Sequence, residues 1–174
     1  VSGEASYPST NNISLRDVTE DDLPIFFDHQ RDPGANHMAA FTASDPEDRV
    51  AFAAHWTKIL DDGSITIKTI LFDRRVAGHV LSFEQSGERE VSYWIGRKYW
   101  GKGIATVALS EFLEHVKTRP LHARVAKDNA ASIRVLEKCG FVVSGEDKGF
   151  SNARGEEVEE LVLKLGADES EAAR

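Results

Sequence analysis

The sequence predicts an α+β fold, a mixed and mostly antiparallel central sheet flanked by about four helices. Three observations predict it. First, three β-like runs at residues 65–72, 76–83 and 90–95 follow one another across turns short enough for hairpins. Second, the last of these runs ends at Gly96. Past Gly101 and Gly103 the pattern changes to Ile104, Ala105, Ala108, Leu109, Phe112, Leu113 and Val116, one face of a 3.6-residue period. Third, the strands outside this stretch mix with helices without strict alternation, which argues against a doubly wound parallel sheet.

Each element has a local cause. Residues 13–18 alternate apolar and polar and read as a short strand. Thr19 to Asp22 supply caps and acidic first-turn residues for a helix with Pro24 in its first turn, where the missing amide costs little. Asp32-Pro33-Gly34 ends that helix, and residues 36–41 read as an irregular linker. Ser44, Asp45 and Pro46 are expected to cap a second helix carrying Val50, Phe52, Ala53, Trp56, Ile59 and Leu60. After the three-strand meander and the loop helix, residues 120–126 form a strand. Asp128 and Asn129 cap a fourth helix that Gly140 closes. Residues 141–143 and 157–165 read as two final strands. The order is β-α-α-β-β-β-α-β-α-β-β, in one domain over 13–165, with 1–12 and 166–174 expected as flexible tails.

Composition narrows the class. The 174 residues carry a formal charge of −8 and a pI near 5.3. That disfavours nucleic acid and anionic membrane as partners, since both need a basic face. It is compatible with a cationic substrate. The single cysteine, Cys139, permits no intramolecular disulfide. No apolar run approaches the roughly 20 residues of a membrane span, and the N-terminal stretch lacks a secretory pattern. The expectation is a cytoplasmic protein. The six histidines show no metal-ligand spacing, and His55 and His79 are expected to be packing residues.

The glycine-rich turn at 96–103 admits several chemistries. A helix start with free amides and a positive dipole end suits an anion, most often phosphate. Gly96-x-x-x-x-Gly101-Lys102 is a P-loop lacking its last position, where Gly103 stands in place of a magnesium-binding Ser or Thr. Gly101-x-Gly103-x-x-Thr106 lacks the third glycine of a dinucleotide loop. A pyrophosphate loop for coenzyme A needs neither feature, because backbone amides alone take the phosphates. A plain helix start is the remaining alternative.

The stretch Lys98-x-x-Gly101-x-Gly103 resembles the coenzyme A loop of the GNAT N-acetyltransferase superfamily, Gln/Arg-x-x-Gly-x-Gly/Ala, with Lys98 departing at the first position. The run Tyr99-Trp100-Gly101-Lys102-Gly103-Ile104-Ala105-Thr106 is similar to the branch that includes ribosomal-protein N-terminal acetyltransferases. So is Asn129-x-x-Ser132 followed by Leu136-Glu137-Lys138-Cys139-Gly140-Phe141. The two motifs lie in the family's order, and the resemblance extends over about 13–165.

The resemblance implies an acetyl-CoA-dependent N-acetyltransferase without a metal, acting on a primary amine by direct attack in a ternary complex. The amine is a protein N-terminus or a small molecule, and the enzyme a monomer or homodimer. A non-catalytic coenzyme A-binding regulator is the alternative. The implied coenzyme A set is Trp94, Ile95, Lys98, Gly101, Lys102, Gly103, Ile104, Ala105, Asn129 and Ser132. Arg97, Arg134 and Lys138 are added cations, and Trp100 packs the loop. Glu90, on the strand before the loop, is the candidate base, with Glu84 and Glu88 as competitors and Glu159 or Glu160 behind them. Ser132 is the candidate proton donor to the leaving thiolate. Phe27, Gln30, Met38 and Phe41 are candidate acceptor contacts, with His29 and Asn36 beside them. Cys139 has no activating neighbour and reads as a small buried residue.

Overall fold

The computed structural model describes residues 12–166. Strand β1 (Ile13–Arg16) leads through a 3-10 turn at Glu20–Asp22 into helices α1 (Leu23–Gln30), α2 (Pro33–Ala39) and α3 (Arg49–Asp61). Strands β2 (Thr66–Phe72), β3 (Arg75–Gln85) and β4 (Glu88–Ile95) form the expected meander. Then come α4 (Ile104–His115), β5 (Leu121–Ala126), α5 (Ala130–Lys138), β6 (Val142–Ser151) and β7 (Glu156–Leu165). One seven-stranded sheet runs β1-β2-β3-β4-β5-β7-β6, and every neighbour pair is antiparallel except β4–β5. The α+β class and the mostly antiparallel sheet are as the sequence predicts. The tails expected at 1–12 and 166–174 lie outside the described residues, save Asn12 and Gly166.

The sheet carries helices on both faces. Ile70, Val80, Val91, Leu121 and Leu163 pack with Leu109 and Phe112 of α4 and Leu136 of α5. On the other face Phe26 of α1 and Trp56 and Ile59 of α3 pack with Ile67 and Val76. No helix among the described residues is long and apolar enough to cross a membrane.

Three expectations are corrected. The linker at 36–41 is mostly helix α2, which makes five helices among the described residues rather than four. Asp32-Pro33-Gly34 ends α1 and also starts α2. The Asp32 side chain accepts from the Ala35 amide at 2.8 Å, and Pro33 occupies the first turn, where no amide is needed. The cap of α3 is Asp48, accepting from the Ala51 amide at 3.0 Å, rather than the residues at 44–46. The strand expected at 141–143 extends to Ser151 as an edge strand. Its exposed, polar sequence lacks the alternation that marks a half-buried strand.

Candidate active site

Strands β4 and β5 pair at one position only, Glu90 with His122. Elsewhere β4 is committed to β3, and β5 to β7. The β3 contact is close. A Cβ at Gly78 would lie 1.9 Å from the Trp94 carbonyl oxygen, so only glycine lets the two backbones meet there. Beyond Glu90 a groove of about 930 Å³ opens between the two halves of the sheet. Ser92 to Ile95 of β4, Val125 and Ala126 of β5, the start of α4 and one face of α5 line it.

At one end of the groove lies the glycine turn. Gly101 and Gly103 have φ of +74° and +75°, a region that costs other residues strain. A Cβ at either position would meet nothing within 4 Å, so the requirement is conformational and the space above the loop is open. Gly103 is the N-cap of α4 and no side chain caps that end, which leaves the first amides of the helix to an outside acceptor. Trp100 folds back and donates from Nε1 to the Ile95 carbonyl at 2.9 Å, and Tyr99 is buried against Phe72. Trp100 and Tyr99 thus hold the loop from below. Arg134 and Lys138 of α5 line the same groove. This donor set fits a pyrophosphate.

Successive β4 side chains point to opposite faces. Val91, Tyr93 and Ile95 turn towards α4 and α5. Glu90, Ser92 and Trp94 therefore turn towards α1–α3, where Trp94 stands opposite His79 and His79 packs between Phe26 and Trp56. On the α5 side the Tyr93 hydroxyl lies 2.6 Å from Ser132 Oγ. Burial pushes the Tyr93 hydroxyl up to about 12, against the lowering contact with Ser132. Asn129 caps α5 by accepting from the Ser132 amide at 3.3 Å and donates to the Met38 carbonyl at 3.3 Å. One residue thereby fixes the serine and ties α2 to the groove.

On the opposite side Glu90 is 6% exposed. Arg124 Nε lies 3.4 Å from its carboxylate, while Arg124 Nη1 serves Glu160 at 2.7 Å and Asp147 at 3.1 Å. Three carboxylates thus share one guanidinium. Burial raises the Glu90 pKa above the ordinary range; Arg124 opposes this, and Glu160 and Glu88 add to it. A buried carboxylate with a raised pKa at a groove wall is the form a general base takes.

Of the residues singled out in the sequence, Glu90, Trp94, Ile95, Gly101, Gly103, Ile104, Ala105, Asn129, Ser132, Met38 and Phe41 come together on the groove. Phe27 does not reach it. It is buried edge-on against Phe52, with the Arg49 guanidinium 4.4 Å above its ring. Gln30 also stands apart, donating to the Pro46 carbonyl at 2.9 Å and pinning the α2–α3 connection. Lys98 and Lys102 are exposed and off the groove wall, Lys98 lying over the Tyr99 ring at 5.1 Å. Arg97 is engaged by Asp32 at 3.2 Å. His55, expected to pack, is exposed. Burial raises the Cys139 pKa, which keeps it a thiol. Sequence reasoning missed Tyr93, Arg124 and Asp147. The alternation of Val91, Tyr93 and Ile95 was the available signal for Tyr93.

Comparison with known proteins bears on this geometry. Residues 12–142 match the family described as Acetyltransferase (GNAT) domain. An uncharacterized N-acetyltransferase, p20 of Bacillus licheniformis, is 22% identical over 169 residues, covering 90% of this chain and 93% of the relative. Mycobacterium smegmatis RimJ in complex with CoA-disulfide superposes with a TM-score of 0.74 at 22% identity, covering 89% of this chain and 82% of its own. Spermidine N-acetyltransferase from Vibrio cholerae, in complex with CoA and spermine, gives 0.72 at 19% identity, covering 88% and 96%. The structural likenesses speak for the fold, and the family match spans most of the sequence, including the glycine turn, the gap-flanking strands and helix α5. The chain belongs to the GNAT acetyltransferase family.

Proposed function

We propose that this protein transfers an acetyl group from acetyl-CoA to a primary amine by direct attack in a ternary complex. One observation carries the reading. A buried carboxylate, Glu90, and a hydroxyl pair, Tyr93 and Ser132, face the same groove from opposite sides of β4. Aminolysis of a thioester asks for that division, with a base where the amine enters and a donor where the sulfur leaves.

Acetyl-CoA supplies an activated acyl group, and the chain's own residues do the rest. The free amides at the start of α4, with Arg134 and Lys138, bind the phosphates. The gap between β4 and β5 holds the extended arm and excludes water from it. The amine enters from the α1–α3 side, past Met38 and Phe41. It arrives as an ammonium, since an α-amine has a pKa of about 8 and a lysine amine about 10.4. The excess of Glu90, Glu160 and Asp147 over Arg124 favours that cation. Glu90 then takes a proton, directly or through water, because only the neutral amine is a nucleophile. Cys139, held protonated by burial, is a poor acyl carrier, which favours direct attack.

Steady-state kinetics with an amine panel test the proposal. Intersecting initial-rate patterns are expected, not the parallel ones of an acyl-enzyme route. Glu90→Gln is expected to lower kcat by about 10²-fold with little change in the Kd of acetyl-CoA. Acetyl-CoA binding by calorimetry with no turnover on any amine would identify a coenzyme A-binding regulator instead.

A further inference from the structure

The hydroxyl pair invites a closer assignment, which rests on the acetyl-transfer reading above. Full proton donation to the leaving sulfur is poorly matched here. With its hydroxyl at about 12, Tyr93 is a weaker acid than an alkyl thiol at about 8.5 by roughly three powers of ten. A serine hydroxyl is weaker still. A proton handed from either group to a thiolate would return. Hydrogen bonding meets no such barrier, and a thiolate is stabilised by any donor aimed at it.

Direction then matters. Tyr93 and Ser132 lie 2.6 Å apart, and each hydroxyl has one proton. Of the two, the phenol is the better donor. If it donates to Ser132 Oγ, the serine proton must point elsewhere. Asn129 holds the serine's backbone amide, so the Ser132 side chain starts from a fixed base on the first turn of α5. Both hydroxyl-bearing residues line the groove.

We infer that Tyr93 is a positioning residue. It donates to Ser132 Oγ, aims the one remaining serine proton at the departing sulfur, and lets coenzyme A leave as a hydrogen-bonded thiolate. The bond that forms is C–N and the bond that breaks is C–S. The electron pair of the broken bond stays on sulfur, opposite the Ser132 O–H. The amine proton passes to Glu90 and then to solvent, and the thiolate takes its proton from solvent after release. Neither Tyr93 nor Ser132 changes its protonation state.

The test needs no acceptor. Free coenzyme A is bound to the wild-type protein and its thiol titrated by the ultraviolet absorbance of the thiolate. The same is done for Tyr93→Phe, Ser132→Ala and the double variant, with acetyl-CoA affinity measured by calorimetry in each. The expected result is a bound thiol with a pKa about one to two units below that of the free thiol. Ser132→Ala abolishes the shift, Tyr93→Phe loses roughly half of it, and the double variant equals Ser132→Ala. Each thiol titration is run at saturating coenzyme A, at a concentration set by the calorimetric Kd of that variant. In turnover, Tyr93→Phe lowers kcat about tenfold at unchanged KM. A bound thiol that titrates alike in wild type and Tyr93→Phe overturns the inference and leaves acetyl transfer standing. So does a double variant that loses more than Ser132→Ala, since Tyr93 would then act on its own. Failure to bind coenzyme A at all overturns both.

Discussion

Asp22 is 2% exposed and still ionised, which is costly unless its oxygens are satisfied. They are. Arg16 forks onto it at 2.6 and 2.8 Å, the Thr19 amide donates at 3.0 Å and Thr69 Oγ1 at 2.7 Å. Burial raises its pKa, but the Arg16, Thr19 and Thr69 hydrogen bonds outweigh that and bring it from 3.8 down to about 2. A carboxylate with a depressed native pKa stabilises above its unfolded pKa, and that stability is lost as pH falls through the native value. The contribution is about 2 kcal/mol, intact above about pH 4 and gone below about pH 2. Asp22→Asn is therefore expected to cost about 2–3 kcal/mol near neutrality, with the gap to wild type closing in urea melts as acid is added. A gap that persists at about pH 2 would contradict the linkage. Glu90 runs the other way. Its raised native pKa means that ionisation destabilises the fold, so stability is present below the unfolded pKa and lost as pH rises through the native one. Glu90→Gln should melt higher than wild type near neutrality while losing turnover, as expected where a site keeps a charge the fold would rather not bury.

Helix α2 is short, yet its Ala35, Met38 and Ala39 wall the groove, so its seat matters more than its length. Arg154, in the β6–β7 turn, forks onto Asp128 at 2.6 and 3.0 Å and donates from Nε to the His37 carbonyl at 2.8 Å. Ser151 Oγ donates to the Ala40 carbonyl at 2.5 Å, where Ala40 takes a φ of +65° in full burial. Arg154→Met keeps most of the stem and removes the fork. The expected outcome is a several-fold rise in KM for the amine, little change in acetyl-CoA affinity, and about 1–2 kcal/mol less stability. Equal weakening of both substrates would mean that α2 does not separate their sites. None of this seat was legible in the sequence, and the reason is distance along the chain. Arg154 reaches back 117 residues to His37, and Arg124 meets Glu160 and Asp147 only because β7 lies between β5 and β6. The glycine turn was legible because its causes are local: two positive-φ glycines, a change of hydrophobic period and an uncapped helix start within ten residues. Phe27 and Gln30 stand off the groove for the converse reason. A side chain of α1 is pulled into packing when a neighbour such as Phe52 or the Pro46 carbonyl lies closer.

Across the whole molecule the sheet is two paired blocks, β1-β2-β3-β4 and β5-β7-β6, joined through one ladder position at Glu90 and His122. Helices α4 and α5 pack across that junction in the main core. A fold divided this way leaves backbone groups of β4 and β5 without strand partners along the gap, and buried backbone groups need partners. An extended ligand with amide groups would supply them, so binding should knit the two blocks together and not merely decorate the glycine turn. At a hundredfold excess over Kd, acetyl-CoA is expected to add about 2.7 kcal/mol, or roughly 5–10 °C in Tm for a domain of this size. The distribution of that gain is the sharper measurement. Amide exchange should slow along both β4 and β5 as well as at the first turn of α4, since closing the gap raises the cost of opening either block. Gly103→Ala, which strains the turn at φ +75° by about 1–2 kcal/mol, should weaken binding but leave the pattern of protection unchanged in whatever fraction is bound. Protection confined to the turn and α4, with β5 exchanging as in the free protein, would mean that the ligand sits on the phosphate loop alone. The gap would then have no part in holding it.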